Sequence, residues 1–549
     1  MSAFTDAQRS AAQGDAGMTT GEPHEPIRTT WAQVHAAACA GARVLVENGV
    51  RPGDAVAILA AKPFEVAPAA QAAWLAGASV TMLHQPTART NLETYAADTA
   101  AVLALIGAKA AVLGDPFTDF VEMLDGSGVT AFTVDQLVAE PGGPAPDVEI
   151  SEDSTALLQL TSGSTSTPKA VQITHRNLWA NIESMCASAG IKPGEVMVSW
   201  LPLFHDMGMV GFLTQPMCKG IELVTVTPPD FLSSPLLWPK LISKYSGTIT
   251  AAPNFAYALT AKVLARPAIG DSDLDLSSLR FALNGAEPID VAAVHAFLDA
   301  GKRFGLPSTA VVCAYGMAEA TLAVSFHQWG TPLKVDTVLA TELEHEQRAV
   351  PVDESTAAGA STRTFPVLGP PLQGIEVAVV GEDGVHLAER QVGVLHLRGE
   401  AVTSQYLTVD GPKSTRGADG WLDTGDLGYL VDGEVVICGR VKDVIIMGGR
   451  NIYPTDVERI AEGVEGVRAG NAVAVRWTAS GGRESFALAV ESRQAADPAE
   501  AERIATDVRS AVTAAIGVRP ALVTVLPVGS LPKTPSGKLK RSAAAALIG

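Results

Sequence analysis

Residues 158–178 read LQLTSGSTSTPKAVQITHRNL. A run of Ser and Thr hydroxyls, with one Gly, one Pro and one Lys, sits between two apolar segments. Hydroxyls and exposed backbone N–H groups in a tight loop wrap phosphate oxygens well. A Walker-type loop would run from strand through a Gly-rich turn into a helix. Here the stretch after Lys169, AVQITH, alternates like a strand, so the loop is expected at the tip of a β-hairpin. An anion there would be held by hydroxyls, backbone N–H groups and Lys169 rather than by a helix N-terminus. Taken alone, the stretch fits a polar hairpin turn as well as a phosphate loop.

Outward from this loop the pattern is regular. TWAQVHAAACAGARVLVENGVRPGDAVAIL (30–59) reads helix, turn, strand. PFEVAPAAQAAWLAGASVTML (63–83) and NLETYAADTAAVLALIGAKAAVLG (91–114) each repeat helix then strand. Such alternation predicts an α/β fold of layered subdomains with mostly parallel sheets. From Gly374 short strands dominate: IEVAVVG, VGVLHLRG and EVVICGR predict a small β subdomain. Beyond GRVKDVIIMGGRNIYP the pattern returns to βαβ. A helix is expected over 498–516, with Ile504, Val508 and Val512 on one stripe and Gly517 as its stop.

This predicts three regions. Residues 1–27 are polar and expected to be poorly ordered. Residues 28–441 form a large N-terminal domain, with a polar, irregular surface insertion at about 330–366. Residues 442–549 form a small, mobile α+β C-terminal domain. At 549 residues the chain is too long for one core.

Composition removes several classes of function. With 47% apolar and 18% charged residues the chain is an ordinary globular protein. Its net charge of −19 argues against nucleic acid or an anionic membrane as the main partner. Its five cysteines are widely spaced, which suits a reducing compartment and no structural metal. The start lacks an apolar signal region, and the apolar stretch 99–108 is too short to span a bilayer. A cytoplasmic location without integral membrane association is expected.

Further motifs follow in order: WLPLFHDMGMVG (200–211), RFALNGAEPI (280–289), AYGMAEATL (314–322), GWLDTGDLGYL (420–430), GRVKDVII (439–446) and LPKTPSGKLKR (531–541). Together with TSGST and Pro168-Lys169 they resemble the acyl-adenylate-forming superfamily over residues 155–541. TSGST, PLFHDMGM, NGAEPI, YGMAEATLAVS and GRNIYPTDVE look like its fatty-acyl-AMP ligase branch. Ser166, Ala170 and Ala318 depart from the commoner Gly, Gly and Thr. Alanine at the last position is common in that branch.

The resemblance implies the adenylate-forming enzyme fold. The activity implied is attack of a fatty-acid carboxylate on the α-phosphorus of ATP, giving acyl-adenylate and pyrophosphate. Transfer to the phosphopantetheine thiol of an acyl carrier protein would follow. The cofactors implied are ATP and Mg²⁺. Lys538 would bridge carboxylate and α-phosphate, although it could be one lysine of a solvated basic tail. Glu319 would hold Mg²⁺, and His205 would lie near the carboxylate entry.

Thr161, Ser162, Gly163, Ser164, Thr165 and Lys169 would hold the phosphates. Gly285, Ala286, Glu287, Gly316, Met317 and Ala318 would line the nucleotide site, with Tyr315 stacked on adenine. Asp426 and Arg440 would take the ribose hydroxyls. Lys442 and Asp443 would form a hinge. Amino-acid-activating relatives carry an Asp where AAPNFAYAL (251–259) offers Asn254. That favours an acyl pocket of Met209, Phe212, Asn254, Phe255 and Tyr257, unless these are plain core. In the ligase branch the 330–366 insertion prevents the motion that admits CoA. An acyl-CoA ligase is the alternative reading, and a silent nucleotide-binding scaffold a remoter one.

Overall fold

The computed structural model describes residues 1–86, 90–124, 127–139, 142–161, 168–353, 356, 359–447, 450–479, 483–533 and 539–548. The chain divides into two compact units. The first comprises Met1–Lys334, Leu368–Glu376 and Leu397–Leu422. The second comprises Val335–Val367, Val377–His396 and Asp423–Gly549.

The first unit is built on two eight-stranded mixed sheets among the described residues. In one, parallel strands Val311–Gly316, Phe281–Asn284, Ile249–Ala252, Val196–Ser199, Glu222–Thr225 and Gly17–Thr20 lie side by side, with an antiparallel strand at each edge. In the other, Thr130–Thr133, Ala108–Leu113, Ala55–Leu59, Ser79–Met82 and Thr155–Thr161 run parallel. Lys169–Thr174, Gln405–Thr408 and Gly411–Ser414 extend that sheet antiparallel. The expected antiparallel pair is therefore present: Thr161 pairs with Lys169 at its loop end. Helices form where the sequence caps them. Thr30 and Gln33 close a capping box on Trp31–Glu47, and Asn91 caps Leu92–Ile106.

Residues 1–27 differ from expectation. They form the helix Ala3–Ala11 and the strand Gly17–Thr20, which pairs parallel with Glu222–Thr225. The cause is two apolar anchors in a polar stretch: Phe4 and Met18 are fully buried. Phe4 packs edge-on against Trp74 at 4.9 Å and against His175 at 5.4 Å. The Ser2 Oγ lies 2.9 Å from His175 Nδ1.

Burial pulls the pKa of His175 down to about 4. Folded His175 thus stays neutral while the unfolded chain takes up a proton near pH 6.5. Its contribution to stability is complete above that pH and is lost as pH falls from 6.5 towards 4. Lowering the pH across this window is expected to cost on the order of 3 kcal/mol. Urea unfolding of the wild type and of His175→Gln should show a flatter acid limb in the variant. Parallel limbs would remove His175 from the account.

The second unit holds a four-stranded sheet, Ile375–Val380, Gly393–Gly399, Leu422–Val431 and Glu434–Arg440, whose first three strands begin or end in the first unit. It also holds a three-stranded sheet, Ala472–Ala479, Arg483–Glu491 and Leu522–Leu526. Helix Pro498–Ile516 covers the latter through Ile504, Val508 and Val512, all fully buried. Asp497 caps its start, and Gly517 ends it in the left-handed region at φ 74°.

The described part of the 330–366 segment is not irregular. Val335–Leu339 and Thr362–Pro366 pair antiparallel, with the helix Ala340–His345 between them. Val338, Leu343 and Phe365 enter one core with Tyr429 and Tyr453. Arg363 pairs with Asp456 beneath the Tyr453 ring, and Arg450 pairs with Glu344. No described helix is long and apolar enough to cross a membrane.

Candidate active site

In the first unit, the hairpin places Thr161 and Lys169 opposite each other at the base of the hydroxyl-rich loop. Ser162, Gly163, Ser164 and Thr165 lie outside the described residues, as does Lys538. The Thr161 hydroxyl is buried with no hydrogen-bond partner among the described residues. Such an orphan costs about 1–3 kcal/mol unless something satisfies it, and a phosphate oxygen is a suitable acceptor. The Lys169 ammonium lies 3.7 Å from the centre of the Tyr406 ring. The Tyr406 hydroxyl donates to Glu319 Oε1 at 2.7 Å. A cation and a half-buried carboxylate thus meet around one aromatic ring.

Glu319 sits on a single 3₁₀ turn, Ala318–Ala320, after the strand Val311–Gly316. Thr403 N–H donates to the Glu319 carbonyl at 2.8 Å, and the Thr321 hydroxyl donates to the Ala401 carbonyl at 2.7 Å. Thr321 holds φ 69° and Ala286 φ 68°. Left-handed backbone at a non-glycine residue costs on the order of 1 kcal/mol or more, and it persists only where surroundings impose it. Both positions fall within the motifs expected to line the nucleotide site. Gly285 packs directly on this region: a Cβ there would lie 3.2 Å from the Ala314 carbonyl oxygen. Tyr315 is buried, with its hydroxyl 3.6 Å from Met317 Sδ.

No described group of three or more His, Cys, Asp or Glu could cage a metal. Magnesium suits this arrangement all the same, because it is usually held by one or two carboxylates with phosphate and water oxygens.

His205 precedes a π-helical segment, Met207–Thr214, a geometry frequent at functional sites. Its Nδ1 lies 2.6 Å from Asp206 Oδ1. Gly208 is required there, since a Cβ would come within 2.2 Å of the Pro202 carbonyl oxygen. The amide of Gln159, just before the loop, donates to the Phe204 carbonyl at 3.0 Å, tying the loop's strand to this segment. Neither Gln159 nor Tyr406 stands out in the sequence.

The proposed acyl-pocket residues have unequal surroundings. Glu287 Oε1 accepts from Phe255 N at 2.7 Å, at the start of the helix Asn254–Leu264. A carboxylate there also complements the helix dipole. Asn254 Oδ1 accepts from Asn284 Nδ2 at 3.1 Å and from Asp290 N at 3.2 Å, so its side chain joins three segments. Tyr257 is fully buried between Trp238 and Phe297 and donates to the Leu283 carbonyl, which is the packing of core. Phe255 is 37% exposed at the outer end of the same aromatic cluster, near Trp200. Met209 and Phe212 are buried.

In the second unit, Asp426 and Arg440 are direct partners across antiparallel strands, and Arg440 Nε lies 2.8 Å from Asp426 Oδ1. The carboxylate is almost fully buried and the guanidinium about half exposed. Lys442 is exposed and Asp443 half-buried, on a turn. Arg541 reaches Asp443 at 3.3 Å and makes two hydrogen bonds to Glu458, at 2.6 and 3.1 Å. Burial pushes the Glu458 pKa up, against the lowering effect of Arg541.

The hairpin, the Glu319 turn and the β subdomain follow one another in this order along the chain. The chain matches the AMP-binding enzyme family over residues 7–407 and the AMP-binding enzyme C-terminal domain over 449–543. It belongs to this acyl-adenylate-forming family. It is 54% identical over 552 residues to "Putative ligase Rv1013" of Mycobacterium tuberculosis (strain ATCC 25618 / H37Rv), covering 100% of both chains. It is 34% identical to the "Putative acyl-CoA synthetase" of Caulobacter vibrioides (strain NA1000 / CB15N), over 98% of this chain and 94% of that one. It is 36% identical to the medium-chain-fatty-acid–[acyl-carrier-protein] ligase JamA of Moorena producens (strain JHB), over 72% of this chain and 68% of JamA. A solved structure from work on fatty acyl-adenylate ligases from E. coli and L. pneumophila superposes with a TM-score of 0.89. It shares 33% identity and covers 99% of this chain and 97% of that one.

Proposed function

We propose that this protein joins a fatty acid to AMP and then passes the acyl group to the phosphopantetheine thiol of an acyl carrier protein. In the first step a carboxylate oxygen bonds to the α-phosphorus of ATP as the bond to pyrophosphate breaks. No base is needed, because the acid is already ionised at neutral pH. Catalysis is then charge neutralisation and positioning. One observation carries the reading: Lys169 and Glu319 both touch Tyr406, and Lys169 pairs across the hairpin with Thr161, whose buried hydroxyl has no hydrogen-bond partner among the described residues. Magnesium, held by Glu319, would supply positive charge to the phosphates. Asp426 and Arg440 would take the ribose, and Lys538 the α-phosphate. Residues 442–549 would move about Lys442 and Asp443 between the two half-reactions.

The names of JamA and of the fatty acyl-adenylate ligase structure support a fatty acid and, for JamA, a carrier-protein acceptor. Asn254 in place of an acid adds to the case against an amino-acid substrate. Removing 335–362 would not cleanly test an acceptor gate, since Val338 and Leu343 are core. The direct test offers a ladder of straight-chain acids with ATP and Mg²⁺ and follows exchange of labelled pyrophosphate into ATP. Product analysis with CoA or a holo carrier protein then follows. Acid-dependent exchange with acyl-carrier product and little acyl-CoA is expected. Absence of exchange with every acid would sink the enzyme reading, and acyl-CoA as main product would replace the acceptor.

A further inference from the structure

We propose that Tyr406 is a positioning residue that orients both Lys169 and Glu319 toward a metal–nucleoside triphosphate. The inference rests on the nucleotide reading of this site. Its basis is the sheet register. Strand Gln405–Thr408 pairs antiparallel with Lys169–Thr174, so that Tyr406 lies opposite Val171 and Thr408 opposite Lys169. Val171 and Lys169 share a face, which makes Tyr406 and Lys169 diagonal neighbours on it. Long and aromatic side chains reach each other in that relation. The ammonium accordingly rests 3.7 Å from the ring centre. The other end of the same ring donates its hydroxyl to Glu319 Oε1 at 2.7 Å. Backbone bonds from Thr403 to Glu319 and from the Thr321 hydroxyl to Ala401 fix the chain just before Tyr406 against the Glu319 turn.

An ammonium and a carboxylate that both touch one side chain could also pair directly with each other. Each would then neutralise the charge the other needs. A ring between them changes that. Its face attracts the cation without neutralising it, and its hydroxyl orients the carboxylate without adding a formal charge. The ring thereby orients the lysine for phosphate oxygens and the glutamate for a divalent cation.

Calorimetric titration with ATP, once with EDTA and once with excess Mg²⁺, separates the two ends of the ring. Tyr406→Leu removes both contacts and should weaken metal-free ATP binding by about 2–30-fold. Tyr406→Phe keeps the ring under Lys169 and removes only the hydroxyl. It should weaken MgATP by about tenfold and metal-free ATP much less. Variants that both titrate like wild type would overturn the proposal. Equal losses for both ligands in both variants would overturn it too, since a merely structural tyrosine cannot tell the ligands apart. The phenylalanine variant keeps the test open should the leucine one fail to fold. A wild type that binds no ATP would instead sink the nucleotide reading itself.

Discussion

Lys538→Ala is expected to lower acid-dependent pyrophosphate exchange by about two to three orders of magnitude while leaving the thermal unfolding curve in place. The reaction brings an anion to a polyanion, and charge builds on the α-phosphate as the carboxylate oxygen adds. A compact ammonium on a flexible stem can bond both partners in that arrangement. Removing it takes away stabilisation that matters most in the transition state, so the turnover number should fall more than ATP affinity. Lys538→Arg should recover little, because a planar fork does not mimic a point charge.

The competing view makes Lys538 one of several solvated lysines. Lys540→Ala separates the two. Its backbone N–H bonds the Pro532 carbonyl, a contact that the substitution keeps, so this variant should work like wild type. Equal, small effects at both positions would return Lys538 to the solvent. Among the described residues nearby, Lys533 forms a β-bridge with Leu539, and Arg541 opens the short helix Arg541–Ala544.

How far the site could be read in advance depended on whether its signals were local. The hairpin at 155–174 was legible because Pro168-Lys169 is followed by strand alternation rather than by helix formers. Helix 498–516 was legible to the residue because Asp497-Pro498 starts it and Gly517 stops it. The pairing of Asp426 with Arg440 was half legible. Both were expected at the ribose, but that they face each other directly depends on register across a bulge.

Elsewhere the deciding contacts lie far apart in sequence. Residues 330–366 look polar because Val338, Leu343 and Phe365 are spread singly among hydrophilic neighbours. Only pairing of Val335–Leu339 with Thr362–Pro366 collects them into a core. Residues 1–27 were misread for the same reason, since Phe4 and Met18 find their pockets on distant helices and strands. Tyr406 had no local signature. Its place beside Lys169 and Glu319 exists only once a late strand extends an early sheet.

Arg541→Met is expected to destabilise the second unit by about 3–5 kcal/mol, and the size of that loss should depend on pH. Glu458 is nearly buried, and its Oε1 also accepts from Ala474 N at 2.9 Å. Arg541 supplies its compensating charge through two hydrogen bonds. Methionine fills similar space and leaves an uncompensated carboxylate in the core. Burial already pushes the Glu458 pKa up, and without Arg541 it must rise further. A carboxyl group whose folded pKa lies above its unfolded value is stabilising when protonated. That contribution is lost as pH rises through the folded pKa. The variant's deficit should therefore be larger at pH 8 than at pH 5, shrinking as falling pH protonates folded Glu458. Urea unfolding at the two pH values measures this directly. Glu458→Gln combined with Arg541→Met should recover a large part of the loss, because no buried charge then remains. A deficit that ignores pH and is not relieved in the double variant would mean that Arg541 acts through its packing or through Asp443 instead of through Glu458.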